Sequence, residues 1–171
     1  MKISPQEIAL TSLLAALIAV TGMIKLPSII PGAEFQLSAP IGVAIAAAFG
    51  IWRYLCAGVI ASSILLLLGL HTIINVEVAM AFRVAAAALI GVFGTRFLIV
   101  SIAGPLSTLF ARLVLSLTLG VPFIPLLLAA VPGMIFTVLL SWPLYKALKL
   151  TIQRAGVQLV QRPLQHKNEI R

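Results

Sequence analysis

The chain has 171 residues, of which 61% are apolar and only 9% charged, with a mean hydropathy of +1.17. Soluble domains carry about 25% charged residues, so this composition excludes a soluble module and describes an integral membrane protein. The formal net charge of +8 is not a nucleic-acid footprint, because the basic residues sit in short connections and at the C-terminus rather than along one folded face.

At about 20 residues per crossing, the apolar runs divide into six helices. The first covers 8–24, after a cap at Ser4-Pro5 where proline suits the first helical turn. Lys2 is balanced by Glu7 and further apolar spans follow, so this segment reads as a span rather than a cleaved leader. Residues 25–37 are broken by Pro27, Pro31 and Gly32 and form the longest connection. The second span, 38–51, is short and relies on tilt, local thinning or shelter by its neighbours. The third covers 54–70, the fourth 76–93 after a polar break at 71–75, and the fifth 97–119 with a break at Gly104-Pro105. The sixth covers 121–145 and is expected to bend at Pro132-Gly133 and Pro143. Residues 1–148 then form a single transmembrane domain and 149–171 a basic tail. From Lys146 onward the bases alternate with Leu148, Ile152, Leu159 and Val160, the pattern of an interfacial helix against anionic lipid.

Orientation follows from the bias of Lys and Arg toward cytoplasmic connections. With the N-terminus inside, Lys2, Arg53, Arg96, Lys146, Lys149, Arg154, Arg162, Lys167 and Arg171 all face the cytoplasm, and Lys25 alone lies outside. Both termini are therefore expected inside, with the long connection after the first helix external.

The two remaining bases, Arg83 and Arg112, fall within spans. A charge at mid-bilayer costs roughly 2.5–3.5 kcal/mol on insertion scales, so such residues point to function. Glu77 is expected in the first turn of the fourth helix, with Arg83 about 9 Å deeper; Arg112 lies about 12 Å from the outer end of the fifth. Glu77 and Arg83 are about 120° apart around their helix, so Glu77 is free to meet Arg112 while Glu34 reaches Arg83. One reading is a set of internal salt bridges that orient helices. The other is an external pocket in which Arg83 and Arg112 hold an anionic group, Glu77 or Glu34 takes a cationic or N–H group, and His71, Asn75 and Gln36 line the mouth. Phe35 is either a cover over the ligand or an interfacial aromatic.

No catalytic centre, cofactor or metal site is expected. The phosphate-binding loop, H-E-x-x-H, C-x-x-C and G-x-S-x-G are all missing, Asp does not occur, and Cys56 is the single cysteine. The first helix carries Ala9, Ser12, Ala15, Ala16 and Ala19, small residues that permit close helix approach in lipid.

Six short spans, the Ala15-x-x-x-Ala19 spacing and the external connection with its Ile-Pro-Gly-Ala-Glu-Phe-Gln core resemble the substrate-binding S components of energy-coupling factor vitamin transporters, to about Tyr145. The resemblance implies a subunit of a prokaryotic plasma membrane that captures a small polar nutrient from outside. It also implies docking on a transmembrane coupling protein with two cytoplasmic ATPases, with Ala15 and Ala19 in the coupling contact and Glu34, Phe35 and Gln36 in the segment that closes over substrate. The residues carry no ligand signature of the thiamine, biotin or riboflavin members. Two other readings stay open: a stand-alone proton-coupled carrier in which Glu77 titrates, disfavoured by the small size and absence of an inverted repeat, and an assembly protein whose charges only lock its helices.

Overall fold

The computed structural model describes residues 4–27 and 34–154, with backbone alone over the strands that bracket 28–33. The described residues form six helices: α1 (Pro5–Met23), α2 (Ser38–Phe49), α3 (Ile51–Leu67), α4 (Ile73–Phe93), α5 (Phe97–Leu119) and α6 (Phe123–Arg154). Between α1 and α2 the chain forms a two-stranded antiparallel ribbon, β1 (Lys25–Pro27) and β2 (Glu34–Gln36), with Lys25 opposite Gln36 and Pro27 opposite Glu34. The prolines that exclude helix from this connection do not prevent so short a ladder.

Caps explain where the helices begin. Ser4 accepts from the Glu7 amide at 3.3 Å with Pro5 at the first position, as the sequence predicts. Thr72 accepts from the Asn75 amide at 3.3 Å, so α4 starts at Ile73 rather than at 76. Glu77 consequently lies in the second turn, not the first. Gly50 alone joins α2 to α3, at a φ of 92° that L side chains avoid. The expected break at Gly104-Pro105 does not occur, since α5 continues through it, and α6 is one helix through Pro132 and Pro143 that runs on to Arg154.

Contacts between helices fix their directions. Glu7 meets Arg53 at one end of α1 and α3, and Gly22 approaches Leu65 at the other, so these two helices are parallel. Gly91 lies against Ile51, Glu77 against Thr118 and Phe97 against Trp142, so α4, α5 and α6 then alternate. One end of the bundle, the basic end, carries Glu7, Arg53, Arg96 and Lys146; the hairpin end carries the ribbon and the α3–α4 and α5–α6 turns.

The short α2 occupies the centre. Val43, Ala44, Ile45 and Ala46 are at most 1% exposed, and the helix packs chiefly on α6 while also touching α1, α3, α4 and α5. Shelter by neighbours therefore accounts for an apolar helix of only 12 residues. The outside is apolar: Leu13 on α1, Val92 on α4, Leu117 on α5 and Leu139 on α6 are all more than 60% exposed. Among the described residues four helices, α1, α4, α5 and α6, are long and apolar enough to cross a membrane, and the outward leucines and valines have their natural solvent in hydrocarbon. Tight crossings hold the bundle together: a Cβ on Gly104 of α5 would sit 2.0 Å from Thr137 Cγ2 of α6.

Candidate functional site

Arg83 lies ten residues into α4, about 15 Å from its start, and is 7% exposed. Its side chain crosses to α3, where Nη1 donates to Ser62 Oγ at 2.6 Å; it also lies 3.5 Å from Met80 Sδ. Gly58 makes the crossing possible, since a Cβ there would come within 2.5 Å of Arg83 Cδ and 2.7 Å of Nε. The fully buried Tyr54 is near enough to Arg83 for an electrostatic interaction. Its ring in turn needs Gly42 on α2, where a Cβ would lie 3.0 Å from the phenol oxygen.

Arg83, Tyr54 and Gly42 form part of one wall of a cavity of about 470 Å³ that reaches from the hairpin end into the middle of the bundle, within the ordinary range for small-molecule sites. Arg83 and Arg112 both line it, with His71, Asn75, Ser38, Tyr54, Thr108 and Thr137 as the other polar groups. Ile18, Leu65, Phe82, Leu115 and Leu126 are among its apolar surfaces. The hydroxyls of Thr108 and Thr137 donate to the carbonyls four residues earlier, Gly104 at 3.0 Å and Gly133 at 2.7 Å, and keep their acceptor capacity. The partners found for Arg83 are neutral, and no carboxylate is among the described side chains lining the cavity. An anion entering beside the two guanidinium groups would supply the counter-charge that their burial calls for.

Of the residues singled out in the sequence, the structure brings His71, Asn75, Arg83 and Arg112 into one cavity. Glu77 is not with them. Its carboxylate accepts from Thr118 Oγ1 at 2.6 Å across the α4–α5 contact, and the expected pairing with Arg112 does not form. Glu34, Phe35 and Gln36 form β2, but their side chains lie outside the described residues, and with them the expected Glu34–Arg83 pairing. Ala15 and Ala19 face the chain's own core, 1% and 7% exposed; the small residues that face outward on α1 are Ala9, Ser12 and Ala16. Tyr54, Ser62 and Gly58 are missed by the sequence reading. A Tyr-x-x-x-Gly pair in the largely apolar α3 was the available signal, but it names no partner.

At the basic end, Arg53 holds Glu7 through two bonds, Nε at 2.8 Å and Nη2 at 2.5 Å, while Nη1 donates to the Phe49 carbonyl at 3.0 Å. This fork joins α1 to α3 and lies apart from the cavity.

Fold and site together define a helical membrane protein with an arginine-lined cavity inside its bundle. No family model matches the sequence, and no solved structure matches it. The chain is 53% identical over 147 residues to Protein BioX of Lysinibacillus sphaericus, a match covering 86% of this chain and 89% of that protein. At that identity and coverage the chain belongs to the BioX family.

Proposed function

We propose that this protein is the membrane-embedded substrate-binding subunit of an importer of the energy-coupling factor type, taking up a vitamin-like nutrient that bears a carboxylate or a related anionic group. The observation that carries the reading is the convergence of Arg83 and Arg112 on one cavity whose described lining includes no acid. With the basic end in the cytoplasm, as the distribution of Lys and Arg favours, the cavity opens toward the outside. The ligand's charge is held by guanidinium forks, and its body lies against Phe82, Leu115 and Leu126. Two arginines leave room for two negative charges, and the position of Glu77 away from the cavity argues against a ligand chosen for a cationic group. The same position weakens the stand-alone carrier, because it removes the titrating carboxylate from the substrate's path.

Energy would come from partners: a transmembrane coupling protein and two cytoplasmic ATPases, in keeping with the missing phosphate-binding loop. The surface that α1 leaves open to such a partner carries Ala9, Ser12 and Ala16, rather than Ala15 and Ala19. A bacterial relative agrees with residence in a prokaryotic plasma membrane.

The test is a thermal-shift screen of purified protein against vitamins, their acidic precursors, amino acids and nucleobases. A true ligand at a hundredfold excess over its dissociation constant adds about 2.7 kcal/mol of stability, and Arg83→Gln should abolish most of that gain. If no compound stabilises the wild type more than the variant, the reading fails.

A further inference from the structure

The C-terminal half of α6 carries a second arrangement, unrelated to the cavity. Starting at Phe123, the helix climbs about 29 Å to Trp142, which is the thickness of the hydrocarbon core. Trp142 and Tyr145 therefore stand at the membrane–water boundary, where amphipathic rings concentrate. Phe97, the first residue of α5, closes edge-on against Trp142 at 5.2 Å between ring centroids, and Trp142 lies 5.3 Å from Tyr145. Over this aromatic platform sit two ammonium groups: Lys146 Nζ is 5.3 Å from the Trp142 centroid and Lys149 Nζ is 5.8 Å from that of Tyr145.

Each lysine is four residues beyond its ring, so its side chain leans back along the helix toward the membrane rather than out into water. The charge is thereby held at the level of the lipid phosphates. Arg96 adjoins Phe97 on the same corner, and all three bases are exposed. Among the described residues none of the three forms an ion pair; the one salt bridge found at this end is Glu7–Arg53. A protein partner reaching in from the cytoplasm would meet lysines turned away from it. A phospholipid in the adjoining leaflet would meet them directly.

We infer that Lys146 and Lys149, held over Trp142 and Tyr145 with Arg96 alongside, form a binding site for the headgroup of an anionic phospholipid at the basic end of the bundle. The phosphate lies between the ammonium groups, and the acyl chains run down the apolar surface of α5 and α6. The site depends on the membrane crossing of α6 and is independent of what the cavity binds.

The experiment uses the full chain purified in a neutral detergent, with dioleoylphosphatidylglycerol or dioleoylphosphatidylcholine added, and bound lipid counted by native mass spectrometry. The wild type should retain the phosphatidylglycerol in preference to the phosphatidylcholine. Lys146→Gln/Lys149→Gln should weaken retention by about tenfold or more, while Lys146→Arg/Lys149→Arg keeps it. Arg154→Gln removes a charge from the same helix beyond the aromatic platform and should leave retention unchanged. Thermal unfolding in phosphatidylcholine should be the same for all variants, which separates loss of the site from loss of fold. Equal retention of the two lipids by the wild type would overturn the assignment. So would an equal loss in Arg154→Gln, which would mark net charge alone, or full competition by millimolar inorganic phosphate, which would mark a small-anion site.

Discussion

Gly58→Ala tests whether the Arg83 crossing is a built feature of the site. In most helices this substitution is favourable by roughly 0.5–1 kcal/mol, because glycine gives up more backbone freedom on folding. Here the new methyl carbon would stand 2.5 Å from Arg83 Cδ and 2.7 Å from Nε, where ordinary contact begins near 3.4 Å. Arg83 must retreat by about 1 Å or α3 and α4 must separate, and overpacking of this kind costs about 1–3 kcal/mol. Retreat also breaks the 2.6 Å bond to Ser62, a charged hydrogen bond of about 1.5–3 kcal/mol. The expected outcome is a destabilisation of about 1–3 kcal/mol, opposite in sign to the usual effect, and a loss of affinity of about ten- to a hundredfold by the relation of 1.4 kcal/mol per decade. Thermal unfolding and equilibrium binding of the ligand identified by the screen measure both quantities. A variant that unfolds at or above the wild-type temperature and binds with wild-type affinity would refute the reasoning.

Three further outcomes follow from other contacts. Gly104→Ala drives a methyl group against Thr137 Cγ2 and should lower thermal stability by about 1–3 kcal/mol; adding Thr137→Ser, which deletes that carbon, should recover part of the loss. Arg53→Gln leaves Glu7 without its fork, but because the pair is partly exposed, at 15% and 38%, the cost in unfolding measurements should be about 1 kcal/mol or less. Glu77→Gln should leave ligand affinity within about twofold of wild type, since that carboxylate bonds to Thr118 outside the cavity; a tenfold loss, or 1.4 kcal/mol, would return Glu77 to the binding site.

The apolar runs were legible because lipid imposes one rule along each span, and α5 begins and ends where its hydrophobicity does. The position of Arg112 along α5 was legible for the same reason, as rise per residue converts sequence position directly into height, whereas the earlier start of α4 sets Arg83 about 15 Å from its helix end. What a linear reading lacks is azimuth. It places Glu77 and Arg112 toward the same end of the bundle, but only the packing of α4 on α5 decides that Glu77 meets Thr118, six residues or about 9 Å along α5 from Arg112, while Arg112 faces the cavity. Likewise, Ala15 and Ala16 are equally small, and the contact of α1 with α3 turns the first inward and leaves the second outward. Gly58 illustrates a further gap: its importance comes from an arginine on another helix, and nothing in its own neighbourhood of sequence reveals it. The caps were partly readable, Ser4 through the proline after it, whereas Thr72 lay hidden in a polar stretch that looked like a loop.

A charge-deletion cycle by isothermal titration reads most directly the guanidinium–carboxylate contact proposed inside the cavity. The identified ligand and its carboxamide, matched in shape but without the charge, are each titrated into the wild type and into Arg83→Gln/Arg112→Gln. The predicted result is a preference for the carboxylate of about tenfold or more in the wild type that vanishes in the double variant, a coupling of at least about 1.4 kcal/mol. Equal affinity for acid and amide in the wild type, or a preference that persists without the two arginines, would contradict it.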